Sequence, residues 1–177
     1  MASIFGHVVA STALGYAFFP KQVKPATLLL AGLCAFAPDF DVLAFHFGIP
    51  YQSQWGHRGW THSAVFTLIL GFLLGYFLFP QRADRNRIAL WFALSALSHP
   101  LLDMMTTGGL GCAIWWPFDD SRLFLPFRPI RVSPLGAGAF FSQWGLKVLE
   151  SEAVWIGLPA IALIALGKLV RTTSPGQ

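Results

Sequence analysis

The chain has 177 residues, of which 55% are hydrophobic and 11% are charged. A soluble globular domain carries about 25% charged residues, so this composition excludes an ordinary soluble protein and predicts an integral membrane protein. The formal net charge of +4 comes from Lys and Arg in connecting segments, where basic residues mainly orient a membrane protein. We therefore expect no nucleic-acid partner.

Five charge-poor stretches approach the roughly 20 residues that cross the hydrocarbon core of a bilayer. These stretches are Ser3–Pro20, Ala26–Phe47, His62–Pro80, Ile88–Met105 and Ala153–Val170. They predict an all-α fold, an integral membrane helical bundle of about five transmembrane helices. We expect one membrane-embedded domain over residues 1–171 and a short disordered C-terminal tail over residues 172–177.

The second stretch is interrupted by Pro38-Asp39-Phe40-Asp41. Proline removes a backbone donor and disfavours helix at the residue before it, which predicts a kink or a break into two half-helices at Pro38. Residues two apart on a continuous helix point in different directions. Irregular backbone at the break would let Asp39 and Asp41 converge on one ion, although both could merely cap the second half-helix.

The connection before the third stretch ends in His57-Arg58-Gly59-Trp60-Thr61-His62-Ser63. Thr61 or Ser63 is a candidate N-cap for the helix that follows. His57 and His62 are candidate ligands, and the alternative is that both lie in a hydrated loop. The third stretch itself is almost wholly apolar, and we expect it to be a lipid-facing scaffold.

The fourth stretch ends in Ser98-His99-Pro100-Leu101-Leu102-Asp103. His99 and Asp103 are four residues apart, so on a helix they project from one face. Ionisable groups in a membrane helix are costly, and they tend to face a polar cavity, pair with each other or bind an ion. This spacing therefore indicates a metal-ligand pair.

The chain changes character from Thr106 to Glu152, where glycines, prolines and aromatic residues are frequent. We expect no long regular element there. The aromatic content, including Trp116-Pro117-Phe118, indicates a long irregular cap that is ordered at the membrane interface.

Short basic connections predict the orientation of the chain. They contain Lys21, Lys24, the Arg82–Arg87 segment, Lys168 and Arg171, and the positive-inside rule places them in the cytoplasm. With five spans, the candidate ligands all fall at the opposite, extracytoplasmic end. Those ligands are His7, Asp39, Asp41, His57, His62, His99 and Asp103, with Glu150 or Glu152 as a further candidate. His46, among apolar neighbours, is expected to be structural.

Imidazole and carboxylate together suit a divalent metal ion, zinc before manganese or iron. The number of candidate ligands exceeds one tetrahedral set, which makes a two-metal site plausible. Arg58, together with Arg122, Arg128 or Arg131, could bind a phosphate by bidentate contacts. The alternative for each arginine is a contact with solvent or a lipid head group.

Taken in order, these motifs resemble the bacterial YdjM-like family of membrane-bound metal-dependent hydrolases, from His7 to about Arg122. The family is itself distantly similar to zinc-dependent phospholipase C. The resemblance implies that all seven candidate residues are ligands of two or three ions, with Asp103 as a bridge. It also implies a bacterial inner-membrane location. We expect catalytic roles for Asp41, Asp103 and Arg58, and substrate contacts from Arg58, Arg122 and Arg128.

The function expected is hydrolysis of a phosphoester in a lipid or lipid-linked molecule by metal-activated water. The alternatives are a membrane metal-binding protein without chemistry, a transporter, or a purely structural protein. Transport is disfavoured because the ligands lie at one end, and the sequence shows neither an inverted repeat nor paired broken helices.

Overall fold

The computed structural model describes residues 1–173. Its α-helices are α1 (Ile4–Phe18), α2 (Pro25–Phe36), α3 (Ala64–Phe77), α4 (Arg85–Met104), α5 (Ala137–Phe140), α6 (Gln143–Glu152) and α7 (Leu158–Thr173). Short 3-10 helices cover Ala37–Phe47 and Trp60–His62, and a π-helical turn, Ala153–Gly157, joins α6 to α7. Residues 1–173 contain no β-strand, so the predicted all-α class is confirmed.

Within residues 1–173, two helical stretches are long and apolar enough to cross a membrane, judged by length and composition. They are Pro25–Phe47, with 23 residues, and Gln143–Thr173, with 31 residues. Helices α1 and α3 are apolar but have 15 and 14 residues, which corresponds to about 22 Å and about 21 Å, less than the roughly 30 Å hydrocarbon core. The bundle of about five spans therefore stays a prediction beyond these two.

Helix α4 lies at the centre of the packing and contacts α1, α2 and α3. The buried indole of Trp91 donates a hydrogen bond of 3.0 Å to the carbonyl oxygen of Ser11 in α1. The hydroxyls of Ser11 and Ser95 lie 2.9 Å apart. These contacts hold the central part of α4 against α1.

Helices α3 and α4 approach closely at glycines. A Cβ atom on Gly71 would lie 2.5 Å from the carbonyl oxygen of Phe92, and one on Gly75 would lie 2.6 Å from Cα of Ala89. Small residues permit such close packing between membrane helices. The opposite face of α3 exposes large apolar side chains such as Ile69 and Phe77, as expected for a scaffold that faces lipid.

The interruption at Pro38 is a change of helix type. The α-helix ends at Phe36, and the chain continues as a 3-10 helix from Ala37 to Phe47. It ends at Gly48, whose φ of 72° suits glycine. The α-helix is therefore interrupted at the proline as expected, and the second half differs from the first in being wound as a 3-10 helix.

The region from Thr106 to Glu152 is irregular only in its first part. Helix α6 begins at Gln143, after Ser142, whose hydroxyl accepts from the backbone N–H of Trp144 at 3.2 Å. The charged residues of α6 did not fit an apolar membrane span, so the predicted fifth stretch began only at Ala153. Helix α7 continues to Thr173, two residues into the predicted tail, while residues 174–177 of that tail lie outside the described part.

Candidate metal centre

The candidate ligands converge where the first turn of α1, the 3-10 helix after α2, the segment before α3 and the last turns of α4 meet. Asp39, His57, His62, His99, His7 and Asp103 are buried, and the side chain of Asp41 is 3% exposed. Isolated charged groups in such surroundings are costly unless they are paired or bind a cation. The predicted convergence from four segments of the chain is thus present in the structure.

The first ligand group consists of Asp39, His62, His99 and Asp103. One donor atom from each lies within 4.8 Å of all the others. The Nε2 atoms of His62 and His99 are 3.0 Å apart, and His99 Nε2 lies 3.4 Å from Asp39 Oδ1. Two imidazole nitrogens and two carboxylate oxygens around one point match the donor types and number of a four-coordinate zinc site.

Unpaired polar atoms at this group test whether a metal ion fits. Both carboxylate oxygens of Asp39 and both ring nitrogens of His7 are buried, and the structure gives them no hydrogen-bond partner. Buried polar groups are almost always satisfied, so this pattern calls for a further partner. A divalent cation beside Asp39 would supply one, and the residues present therefore fit a metal ion.

His99 is oriented by a hydrogen bond at its other nitrogen. Its Nδ1 atom lies 2.8 Å from the carbonyl oxygen of Ala35. A carbonyl oxygen only accepts, so Nδ1 is the donor of this bond, and Nε2 faces the ligand group. Metal-bound histidines commonly have such a partner. The His7 ring stacks on the His99 ring, with centroids 3.9 Å apart.

The second ligand group consists of Asp41, His57 and His62. Asp41 Oδ1 lies 2.6 Å from His57 Nδ1, and Asp41 Oδ2 lies 3.2 Å from His62 Nδ1. Asp41 Oδ2 also accepts from the Thr61 hydroxyl at 2.6 Å. This group is already well hydrogen-bonded, so it can hold an ion or can orient His62 for the first group.

Asp39 and Asp41 lie in different groups, which share His62. The sequence allowed both carboxylates to converge on one ion, whereas the structure places one carboxylate in each group. In a 3-10 helix of three residues per turn, residues two apart point in different directions. His62 links the two groups because its two ring nitrogens face the two carboxylates.

Asp103 is held on both sides by donors. Its Oδ1 atom accepts from the backbone N–H of Ala2 at 2.6 Å and lies 3.5 Å from His7 Nε2. Its Oδ2 atom accepts from Arg58 Nε at 2.9 Å. Carboxylate ligands are usually oriented by such hydrogen bonds.

Arg58 is fully buried, and its backbone φ of 63° turns the side chain inward. Besides Asp103, its guanidinium donates to the carbonyl oxygen of Gly108 at 2.9 Å and to the Thr106 hydroxyl at 3.0 Å. Burial opposes the charge, but Asp103 contributes most to the opposite effect, and the pKa of Arg58 is raised above its ordinary value. Arg58 therefore contacts a candidate ligand directly.

Two other predicted phosphate contacts, Arg122 and Arg128, have surroundings that differ from those of Arg58. Arg122 donates to the carbonyl oxygens of Tyr51, Ser53 and His57, and burial lowers the pKa of its guanidinium from the ordinary value. It therefore holds the loop that carries His57. Arg128 is exposed, and its guanidinium lies over the Phe124 ring, 4.5 Å from the ring centroid.

The two glutamate candidates, Glu150 and Glu152, differ in burial and in their contacts. Both carboxylate oxygens of the buried Glu152 accept from Ser3, one from its backbone N–H and one from its hydroxyl. Glu150 is exposed. Sequence reasoning missed the Ser3 contact, for which the only signal was a serine at the N-cap of an apolar helix. His46 is exposed and lies outside both ligand groups.

Comparison with known proteins now identifies the family. Residues 1–174 match the family described as YdjM inner membrane protein. This chain belongs to the YdjM family. It is 36% identical over 168 residues to the inner membrane protein YbcI of Escherichia coli strain K12, covering 94% of this chain and 96% of that protein. No solved structure matches the chain.

The predicted YdjM family is confirmed, and the chain is a membrane protein of this family with a buried His/Asp cluster that could bind a divalent metal ion. The YdjM description and the YbcI relative both fit a bacterial inner membrane. The further likeness to zinc-dependent phospholipase C stays a prediction.

Proposed function

We propose that this YdjM-family protein is a membrane-bound metal-dependent hydrolase that cleaves a phosphoester of a lipid or lipid-linked molecule. The observation that carries the proposal is the buried carboxylate of Asp39, which has no hydrogen-bond partner and lies 3.6 Å and 3.4 Å from the Nε2 atoms of His62 and His99. Four donors around one point, one of them an unsatisfied anion, form a site that a divalent cation completes.

The proposal assigns the first ion to Asp39, His62, His99 and Asp103, with His7 beside them, and a second to Asp41, His57 and His62. The mixed nitrogen and oxygen donors favour zinc, with manganese or iron as alternatives. When bound, divalent ions lower the pKa of a coordinated water and stabilise charge on phosphate oxygens.

The protein's own residues would orient these ligands and the substrate. Arg58 holds Asp103, and Thr61 holds Asp41, so the two carboxylates proposed as catalytic are fixed in position. Arg58 is proposed as the cation closest to the phosphate, since it alone of the predicted arginines contacts a ligand side chain in the described residues. Arg122 and Arg128 stay predictions as substrate contacts.

The proposal places the site at the extracytoplasmic side of a multi-pass protein with about five spans. Support comes from the charges, because Lys21, Lys24 and Arg82–Arg87 lie at or next to the helix ends that are opposite the ligands. A lipid substrate would then reach the site laterally from the outer leaflet.

The first test is metal content and hydrolysis together. Purified protein is expected to bind a divalent metal and to hydrolyse a member of a panel of phospholipids and isoprenoid phosphates. Asp103→Asn and His99→Ala should lose both properties, whereas the exposed His46→Ala serves as the matched control. Equal activity in wild type and in Asp103→Asn would overturn the proposed chemistry.

A metal-binding protein without hydrolysis is the second candidate, and one observation favours it. His7, His62, His99 and Asp103 are each 0% exposed, so the ligand group is closed in this conformation. Metal binding that depends on His99, combined with no hydrolysis of any member of the panel, would support this alternative.

A further inference from the structure

A second polar feature lies at the other end of the helices, about four turns of α4 and about 24 Å from Asp103. It is a cavity of about 580 Å³ between the end of α1, the first turn of α4 and the last turns of α7. Three cationic side chains line it, Lys21, Arg87 and Arg171. The candidate metal centre uses none of them.

The charge of this cavity is uncompensated within the described residues. None of its lining residues is acidic, and Lys21, Arg87 and Arg171 form no ion pair within residues 1–173. The nearby Asp84 does not neutralise these cations, because its carboxylate accepts from Arg82 at 2.7 Å and 2.8 Å and from the Gln22 side chain at 2.9 Å.

The rest of the cavity is apolar, with Phe18, Leu163 and Leu166 among its lining residues. Close packing of α1 and α7 builds this wall, since a Cβ atom on Gly167 would lie 2.8 Å from Cα of Ala17. Arg171 is anchored there, because its Nη1 atom donates to the carbonyl oxygen of Ala17 at 2.6 Å. The cavity thus combines a cationic rim with a wall suited to hydrocarbon.

We propose that this cavity binds the phosphate head group of an anionic phospholipid, with part of an acyl chain against the apolar wall. Basic pockets between membrane helices on the cytoplasmic side recognise such head groups. Guanidinium groups can bind phosphate oxygens in a bidentate manner. A soluble anion would gain nothing from Leu163 and Leu166, so the apolar wall favours a lipid over free phosphate.

The test uses the full-length protein in detergent, titrated separately with phosphatidylglycerol, phosphatidylcholine and inorganic phosphate. Binding is measured by native mass spectrometry, and stability by the midpoint of thermal unfolding. We expect phosphatidylglycerol alone to bind and to raise the midpoint. Removing one charge should weaken binding about fivefold, the effect of a basic side chain near a membrane surface.

The variants are Arg87→Gln and Arg171→Gln, singly and together. Arg85→Gln is the matched control, because Arg85 lies on the same helix but stacks over the Tyr76 ring at 4.3 Å. If the double variant does not fold, Arg87→Lys and Lys21→Gln replace it, and each is expected to weaken binding while the control does not. Metal content is expected to stay at the wild-type level in all of them.

Three results would overturn the proposal. Equal stabilisation by phosphatidylcholine would show an apolar groove without head-group recognition. Equal binding of inorganic phosphate would show a site for a free anion. An equal loss in Arg85→Gln and Arg87→Gln would show a general effect of surface charge. None of these results would bear on the proposed hydrolase, which is tested at the other end of the molecule.

Discussion

The Nε2 atoms of His62 and His99 face each other at 3.0 Å. The Nδ1 proton of His99 points to the carbonyl oxygen of Ala35, so in the neutral ring the His99 Nε2 atom carries a lone pair. Without a proton on His62 Nε2, two lone pairs would repel each other at this distance. A cation shared by the two nitrogens removes that repulsion and also satisfies Asp39.

Metal removal is expected to destabilise the protein. Protein treated with a chelator should regain stability on addition of zinc, by about 2.7 kcal/mol when free metal is at 100 times Kd. His99→Ala should abolish this response, because it removes one of four donors. The measurement is the midpoint of thermal unfolding against zinc concentration, with His46→Ala as control. A response in His99→Ala equal to that of wild type would contradict the assignment of His99.

Asp103→Asn is expected to destabilise the protein even in the absence of metal. The substitution leaves the guanidinium of Arg58 buried without its counter-ion, and breaking a buried pair in this way costs about 3–5 kcal/mol. Unfolding by denaturant in detergent measures the change. The double variant Asp103→Asn/Arg58→Met should recover part of the loss. If the loss of stability in the double variant equalled the sum of the losses in Asp103→Asn and Arg58→Met, the two residues would not be coupled.

Glu152→Gln is expected to loosen the segment before α1. Glu152 accepts two hydrogen bonds from Ser3, whereas the amide of glutamine would present N–H donors to one of them. We expect a loss of about 1–3 kcal/mol in the free energy of unfolding, the cost of an unsatisfied buried group. Hydrogen exchange at Ser3 and Ala2 should become faster. Glu150→Gln, at an exposed position on the same helix, should change neither quantity.

Gly71→Ala is expected to separate α3 from α4. The new methyl group would meet the backbone of Phe92 at 2.5 Å and Cα of Ala93 at 2.6 Å, and overpacking of this kind costs about 1–3 kcal/mol. Thermal unfolding reports the change. Gly138→Ala is the control, because a Cβ atom there has nothing within 4 Å. Unchanged stability in Gly71→Ala would mean that the two helices can move apart freely.

The predicted orientation has a direct test in fusions at the C-terminus. A fluorescent protein fused there should fluoresce, and alkaline phosphatase should be inactive, because both results indicate a cytoplasmic end. The opposite pair of results would place the metal centre on the cytoplasmic side. The clustering of its ligands at one end would be unaffected.

Helix periodicity alone was enough to place His99 and Asp103 on one face of α4. Their encounter with His7, Asp39 and His62 could be predicted because spans of similar length bring alternate helix ends to the same side. The backbone N–H of Ala2 could not be predicted as a partner of Asp103, since the contact spans 101 residues and involves no side chain of Ala2.

Local conformation limited the rest of the prediction. The inward direction of Arg58 depends on a left-handed backbone, which few residues other than glycine adopt. The division of Asp39 and Asp41 between two groups depends on 3-10 winding, which the sequence motif did not distinguish from an irregular break. The early start of α6 was missed because its charged residues do not resemble a membrane span.

The Ser3–Glu152 contact also has a consequence for the order in which the protein is completed. The two residues are 149 positions apart, so during synthesis the N-terminal segment lacks its partner until nearly the whole chain has been made. By then every proposed metal ligand has already been synthesised. The Ser3–Glu152 contact therefore forms late in biogenesis, and ribosome-bound chains that end before α6 would carry all the proposed ligands while Ser3 lacks this partner.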